Sequence, residues 1–154
     1  MNNFNNLIKN VSWTLSQLPS EAELYIGNDN YASLPDNILN LQIPYASITK
    51  KIEVLHLNGQ TILTTPFNGT TFRQWMNSLY EGLHIPINTD NLSSDQLSDI
   101  YVLASRFLRK EDRELLIHKL ENNELKPIEL CGDYIYFEGN LRRKNNTWIY
   151  AIGS

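Results

Sequence analysis

Residues 72–120, FRQWMNSLYEGLHIPINTDNLSSDQLSDIYVLASRFLRKEDRELLIHKL, decide the fold class. Phe72, Trp75, Met76, Leu79, Tyr80 and Leu83 recur at i, i+3, i+4, i+7, i+8 and i+11, one face of a helix. Thr71 and Gln74 have the spacing of a capping box, and Gly82 stands where a glycine would close the helix. Ile85-Pro86-Ile87 reads as a short strand. A second capping pair, Ser93 and Gln96, opens a helix with Leu97, Ile100, Tyr101, Ala104, Phe107 and Leu108 inward. The polar run Arg109 to Asp112 interrupts that stripe. A third helix then carries Leu116, Ile117 and Leu120 and frays at Asn122-Asn123.

Upstream, the pattern is β-prone. Glu21 to Ile26 alternates, Gly27-Asn28-Asp29-Asn30 is a turn, and Tyr31 to Leu34 reads as the returning strand. Asp36 suits the N-cap of a short helix through Ile38, Leu39 and Leu41, ended before Pro44. Lys51 to Leu57 and Thr61 to Thr65 flank Asn58-Gly59, a favoured hairpin turn because both residues tolerate positive φ. Before these strands, Leu7, Ile8, Val11, Leu15 and Leu18 fall on one helical face ending at Pro19. After Pro127, Tyr134 to Phe137 and Thr147 to Ile152 read as a C-terminal β-hairpin. The expected architecture is α+β: an N-terminal helix or arm over 1–20, a domain over 21–123 with a small β-sheet packed against a helical cluster, and a hairpin extension over 124–154.

At 154 residues, with 42% hydrophobic and 19% charged residues, the chain has the length and composition of one globular domain. Net charge −4 argues against a nucleic-acid partner, because phosphate neutralisation needs a basic surface. The short basic runs Lys50-Lys51 and Arg142-Arg143-Lys144 read as solvated surface. No segment has the apolar length of a membrane span, and no apolar leader follows the first residues. With Cys131 as the single cysteine, an internal disulfide and a cysteine metal cluster are both excluded, which fits an intracellular, cytoplasmic setting.

Candidate chemistry is sparse. His56, His84 and His118 lie at no metal-ligand spacing, and no phosphate-binding or nucleophile-elbow motif occurs. A Cys131 nucleophile with His118 as its base is conceivable only through proximity in the fold. No catalytic residue, cofactor or metal is expected. The interaction candidates are Leu7, Ile8, Val11 and Leu15, which cover either their own domain or a second copy's. Trp148 and Tyr150 form a second candidate, an aromatic hairpin face that either packs on the helices or binds another chain.

The order of elements over residues 21–122 resembles a BTB/POZ domain. EAELYIG is similar to its first strand and LPDNILNLQIPY to its short helix and following loop. FRQWMNSLYEG is similar to its most recognisable helix, and IPI, LSSDQLSDIYVLASRFL and RELLIHKLENN to the strand and helices that follow. The resemblance implies a non-catalytic protein–protein interaction module, acting by homo-oligomerisation or as a small adaptor. It also has departures. Pro35-Asp36 replaces a basic pair: Glu21 matches the acidic residue of the family's charged pocket, while Asp36 inverts the basic one. Lys51-Ile52-Glu53 is not the motif of cullin-recruiting members, which weakens a cullin ligase as partner. The alternative reading is an acidic inhibitor or decoy on an unrelated α+β fold.

Overall fold

The computed structural model describes residues 2–56, 59–107, 109–137, 139 and 141–152. Leu57, Leu108 and the Asn58 half of the expected hairpin turn lie outside them, as does the side chain of Phe107. The chain runs α1 (Asn2–Ile8), β1 (Val11–Ser12), β2 (Glu23–Gly27), β3 (Asn30–Ser33), α2 (Asp36–Leu39), β4 (Lys51–Leu55), β5 (Thr61–Pro66), α3 (Phe72–His84), α4 (Ser94–Phe107), α5 (Lys110–Glu121), β6 (Leu141–Lys144) and β7 (Thr147–Ala151). The α+β class read from sequence holds.

α3 forms as its pattern dictates. Thr71 Oγ1 accepts from the Gln74 N–H at 3.3 Å, and Gln74 Oε1 accepts from the Thr71 N–H at 3.2 Å, closing the capping box. Ser93 and Gln96 do the same for α4 at 3.1 and 2.8 Å. Phe72, Trp75, Met76, Leu79 and Leu83 are all buried.

Gly82 does not close the helix. It lies within α3, buried, where a Cβ would stand 2.9 Å from Leu63 Cδ2 and 3.1 Å from Thr65 Cβ of β5. The glycine lets the helix approach the sheet. Gly82→Val is therefore expected to cost about 1–3 kcal/mol, overpacking outweighing the helix propensity gained. Urea unfolding checks this, and an unchanged midpoint would mean the helix can back away freely.

Two sheets result. The first has order β1-β2-β3, antiparallel throughout. The second has order β5-β4-β7-β6, with β4 and β7 parallel from Lys51↔Thr147 to Leu55↔Ala151. This corrects the view of residues 124–154 as an appended hairpin. The hairpin joins β6 to β7 across Asn145-Asn146, and β7 lies inside the sheet with Trp148 and Tyr150 fully buried. The segment read as its first strand, Tyr134 to Phe137, instead runs beside residues 13–15. Leu15 N–H donates to Ile135 O at 2.7 Å and Phe137 N–H to Trp13 O at 2.9 Å. Ile85-Pro86-Ile87 takes no strand partner as a ladder; Ile87 N–H bonds to Leu125 O at 2.7 Å.

The N-terminal helix is also displaced from expectation. Within the stretch 1–20 it covers only residues 2–8 and does not reach Leu18, because Phe4 and Ile8 at i, i+4 bury inside the domain while Val11 begins a strand. Packing overrides the weak helix propensity of its asparagines. An aromatic core ties the parts together. Phe137 stacks on Tyr150 at 5.6 Å and meets Trp75, Trp13 and Phe72 at 5.9–6.1 Å, and Phe4 reaches Phe72 and Trp148 at 6.0 and 6.2 Å. Both termini of the described chain thus pack on α3.

Candidate functional site

Five of the six residues read from sequence as interaction candidates are core. Ile8, Leu15, Trp148 and Tyr150 are 0% exposed and Val11 is 4% exposed. Their apolar pattern is satisfied by this chain's own α3 and sheets, so they present no free surface. Leu7 alone faces solvent, at 42%. The Tyr150 hydroxyl donates to Tyr136 O at 3.2 Å, which gives the ring's polar end an internal partner.

The nucleophile reading also meets a physical obstacle. Cys131 is fully buried, and burial pushes its thiol up to about 12. Only roughly one part in 10⁵ would be thiolate at pH 7, and the thiolate is the nucleophile. A cavity of about 590 Å³ does reach Cys131, but it brings His56, Arg109, Asp112 and Asp133 there, not His118. Burial lowers the His56 pKa, so the imidazole is held neutral. His118 sits exposed on α5 beside Asn122. Among the described residues no group of three or more His, Cys, Asp or Glu side chains could hold a metal ion, and no helix is long and apolar enough to cross a membrane.

What the molecule does present is an open sheet edge. Asn28 and Asp29 both take positive φ, 52° and 60°, as a two-residue turn matching the twist of a hairpin requires. Tyr25 and Tyr31 face each other across it, ring centroids 5.4 Å apart. The register slips between Tyr25 and Gly27, leaving Ile26 as a bulged residue, 61% exposed. All four β3 residues, Asn30 to Ser33, are exposed.

The direction of the unpaired groups follows from the ladder. Tyr25 N–H donates to Asn10 O at 2.9 Å, so Tyr25 turns its main chain toward β1. Its cross-strand partner Tyr31 therefore sits in a non-hydrogen-bonded pair. By the alternation of an antiparallel ladder, Tyr31 and Ser33 turn their N–H and C=O groups to the outer side.

The other sheet edges are protected. β1 is two residues long and its continuation pairs with residues 135–137. β5 is flanked by α4, with Gln60 Nε2 donating to Asp99 Oδ1 at 3.3 Å, and ends in Pro66. β6 carries Arg142, Arg143 and Lys144, and Asn5 of α1 donates to Leu141 O at 3.1 Å. Short length, proline, cationic side chains and a covering helix are the usual means of blunting an edge. β3, four residues long like β6, carries no proline and no cationic side chain. Beside its end lies a cavity of about 320 Å³, lined by Ala22, Ser33, Leu34, Leu39 and Met76 among others.

The run Asn30-Tyr31-Ala32-Ser33 is uncharged and, Tyr31 apart, small and weakly apolar, which is the signal of this edge in the sequence. No protein-family model, curated protein or solved structure matches the chain.

Proposed function

We propose that the protein is a non-catalytic protein–protein interaction module that accepts a partner strand along β3. The observation that carries this is the contrast of edges: β3 is exposed on both faces with outward main-chain groups, while the remaining edges are short, flanked or charged. Main-chain pairing supplies affinity in such strand addition, and neighbouring pockets supply choice. The same class of function follows from the BTB-like reading, which the order of β2, β3, α2, β4, β5, α3, α4 and α5 supports; β7 within the sheet is a departure from it. Self-association through the N-terminal face loses its support, because Ile8, Val11 and Leu15 are internal. An adaptor that joins a partner by its edge is the favoured form.

Ser33→Pro tests the edge directly. It removes an outward N–H without breaking the β2–β3 ladder, since edge strands tolerate proline on their open side. The blocked peptide Thr-Val-Thr-Val-Thr-Leu at millimolar concentration is expected to slow amide exchange at Tyr31 in the wild type and to leave Ser33→Pro unaffected. Unchanged exchange in the wild type, with added peptide and at raised protein concentration, would remove the reading.

A further inference from the structure

Between residues 10 and 49 the chain carries Glu21, Glu23, Asp29 and Asp36 and no Lys, Arg or His. These residues build the whole first sheet and α2, and the charged side chains among them are all acidic, with Lys9 immediately before them. Arg73, which lines the cavity at the end of the strand, pairs with Asp36 at 3.6 Å. Glu23 lies opposite Ser33 on the same face of the sheet, and both are exposed. A strand added outside β3 would run roughly 10 Å from Glu23, two strand spacings away. Between them on that face stands only the short side chain of Ser33. A lysine or arginine on the added strand can reach across it to the Glu23 carboxylate.

At the same end of β3 lies the cavity lined by Ala22, Leu34, Leu39 and Met76 on its apolar side and by Ser20, Ser33, Arg73 and Asn77 on its polar side. Glu21, in the turn Pro19–Glu21, stands next to its lining residues Ser20 and Ala22.

We infer that the partner is an extended segment of another protein carrying Lys or Arg at alternate positions and an apolar side chain at the end that meets Ser33-Leu34. This rests on the β3-edge reading and adds to it the chemistry of the occupant. Backbone pairing with Tyr31 and Ser33 sets the register, Glu23 selects the cations, and the cavity takes the apolar anchor. A second copy's β3 is itself uncharged and brings no cation to Glu23. Charge selection of this kind acts mainly through partner choice and association rate, and it weakens with salt.

The test uses three peptides blocked at both ends, Lys-Val-Lys-Val-Lys-Leu, Thr-Val-Thr-Val-Thr-Leu and Glu-Val-Glu-Val-Glu-Leu, titrated against the full chain by fluorescence anisotropy. At low salt the lysine peptide is expected to bind about 3-fold tighter than the threonine peptide, a difference that one exposed charge pair can supply. The glutamate peptide should be weakest, and the advantage of lysine should shrink at high salt. Glu23→Lys, at an exposed position, should keep the melting temperature and reverse the order of the lysine and glutamate peptides. Equal binding of all three would overturn the basic-partner inference and leave the open-edge reading standing. Binding of none would overturn both. A dimer that forms through β3 and excludes every peptide would assign the edge to a second copy and overturn the inference.

Discussion

A chain cut after Asn123 is expected to show no cooperative unfolding transition. Read as an extension, residues 124–152 would be dispensable; as observed, they supply the neighbour of β4 inside the second sheet. The cut removes Phe137, Leu141, Trp148, Ile149, Tyr150 and Ile152, all buried. At about 1.5–3 kcal/mol for each large apolar side chain, that loss rivals the whole net stability of an ordinary domain, about 5–15 kcal/mol. It also leaves Ile52 and Val54, both 0% exposed, open on one side. Circular dichroism with thermal melting decides the matter. A sharp transition in the shortened chain would show that the α3–α5 region and β4–β5 hold a core alone.

Leu15→Asp is expected to unfold the protein or bring it close to unfolding. Leu15 is fully buried, in the segment whose N–H reaches Ile135 O. The substitution loses a leucine's packing and places a carboxylate among apolar groups. The combined cost is at least about 4 kcal/mol. Two readings of the N-terminal segment separate cleanly here. Were residues 7–15 a face that joins copies, the variant would be a folded monomer with the parent's melting temperature. As part of the core, it should lose its melting transition or shift it downward by about 10 °C or more. Scanning calorimetry with light scattering on one sample distinguishes the two.

Much of the fold was legible where local signals and tertiary demands agree. The apolar face of α3 and the two capping boxes were readable because the same residues satisfy helix periodicity, terminal hydrogen bonds and burial. The β2–β3 turn was readable because Asn28 and Asp29 tolerate positive φ. The errors share a cause, which is dependence on partners distant in sequence. Val11 and Leu15 fit a helical stripe as well as they fit an extended segment, and only pairing with Leu24 and Ile135 decides between them. Tyr134 to Phe137 has strong strand character, yet the strand that pairs with β7 is the charged run Leu141–Lys144, an edge whose side chains need not be apolar. Gly82 has the sequence pattern of a helix end but lies within α3, where its constraint comes from Leu63 and Thr65.

The candidate edge was harder to see for a different reason. Sequence patterns report which side chains seek burial, and a docking edge is defined by main-chain groups left over after pairing. Trp148 and Tyr150 attracted attention because they are large and aromatic, and those properties are what put them in the core. Asn30, Ala32 and Ser33 carry no such mark, and Tyr31, though aromatic, stays 51% exposed.

The parallel contact of β4 with β7 joins positions roughly a hundred residues apart, and it has a consequence for how the protein is made. Synthesis delivers β4, β5 and α3 well before their last neighbour exists. Until β7 emerges from the ribosome, the central slot of the second sheet is vacant and Trp75 lacks Tyr150 beside it. A nascent chain of this design waits with an unfilled strand position next to apolar residues, the state in which chaperones engage clients and aggregation begins. Closure of that slot is an event of large sequence separation, so refolding in milliseconds to seconds is expected, in place of the microsecond closure typical of small helical bundles.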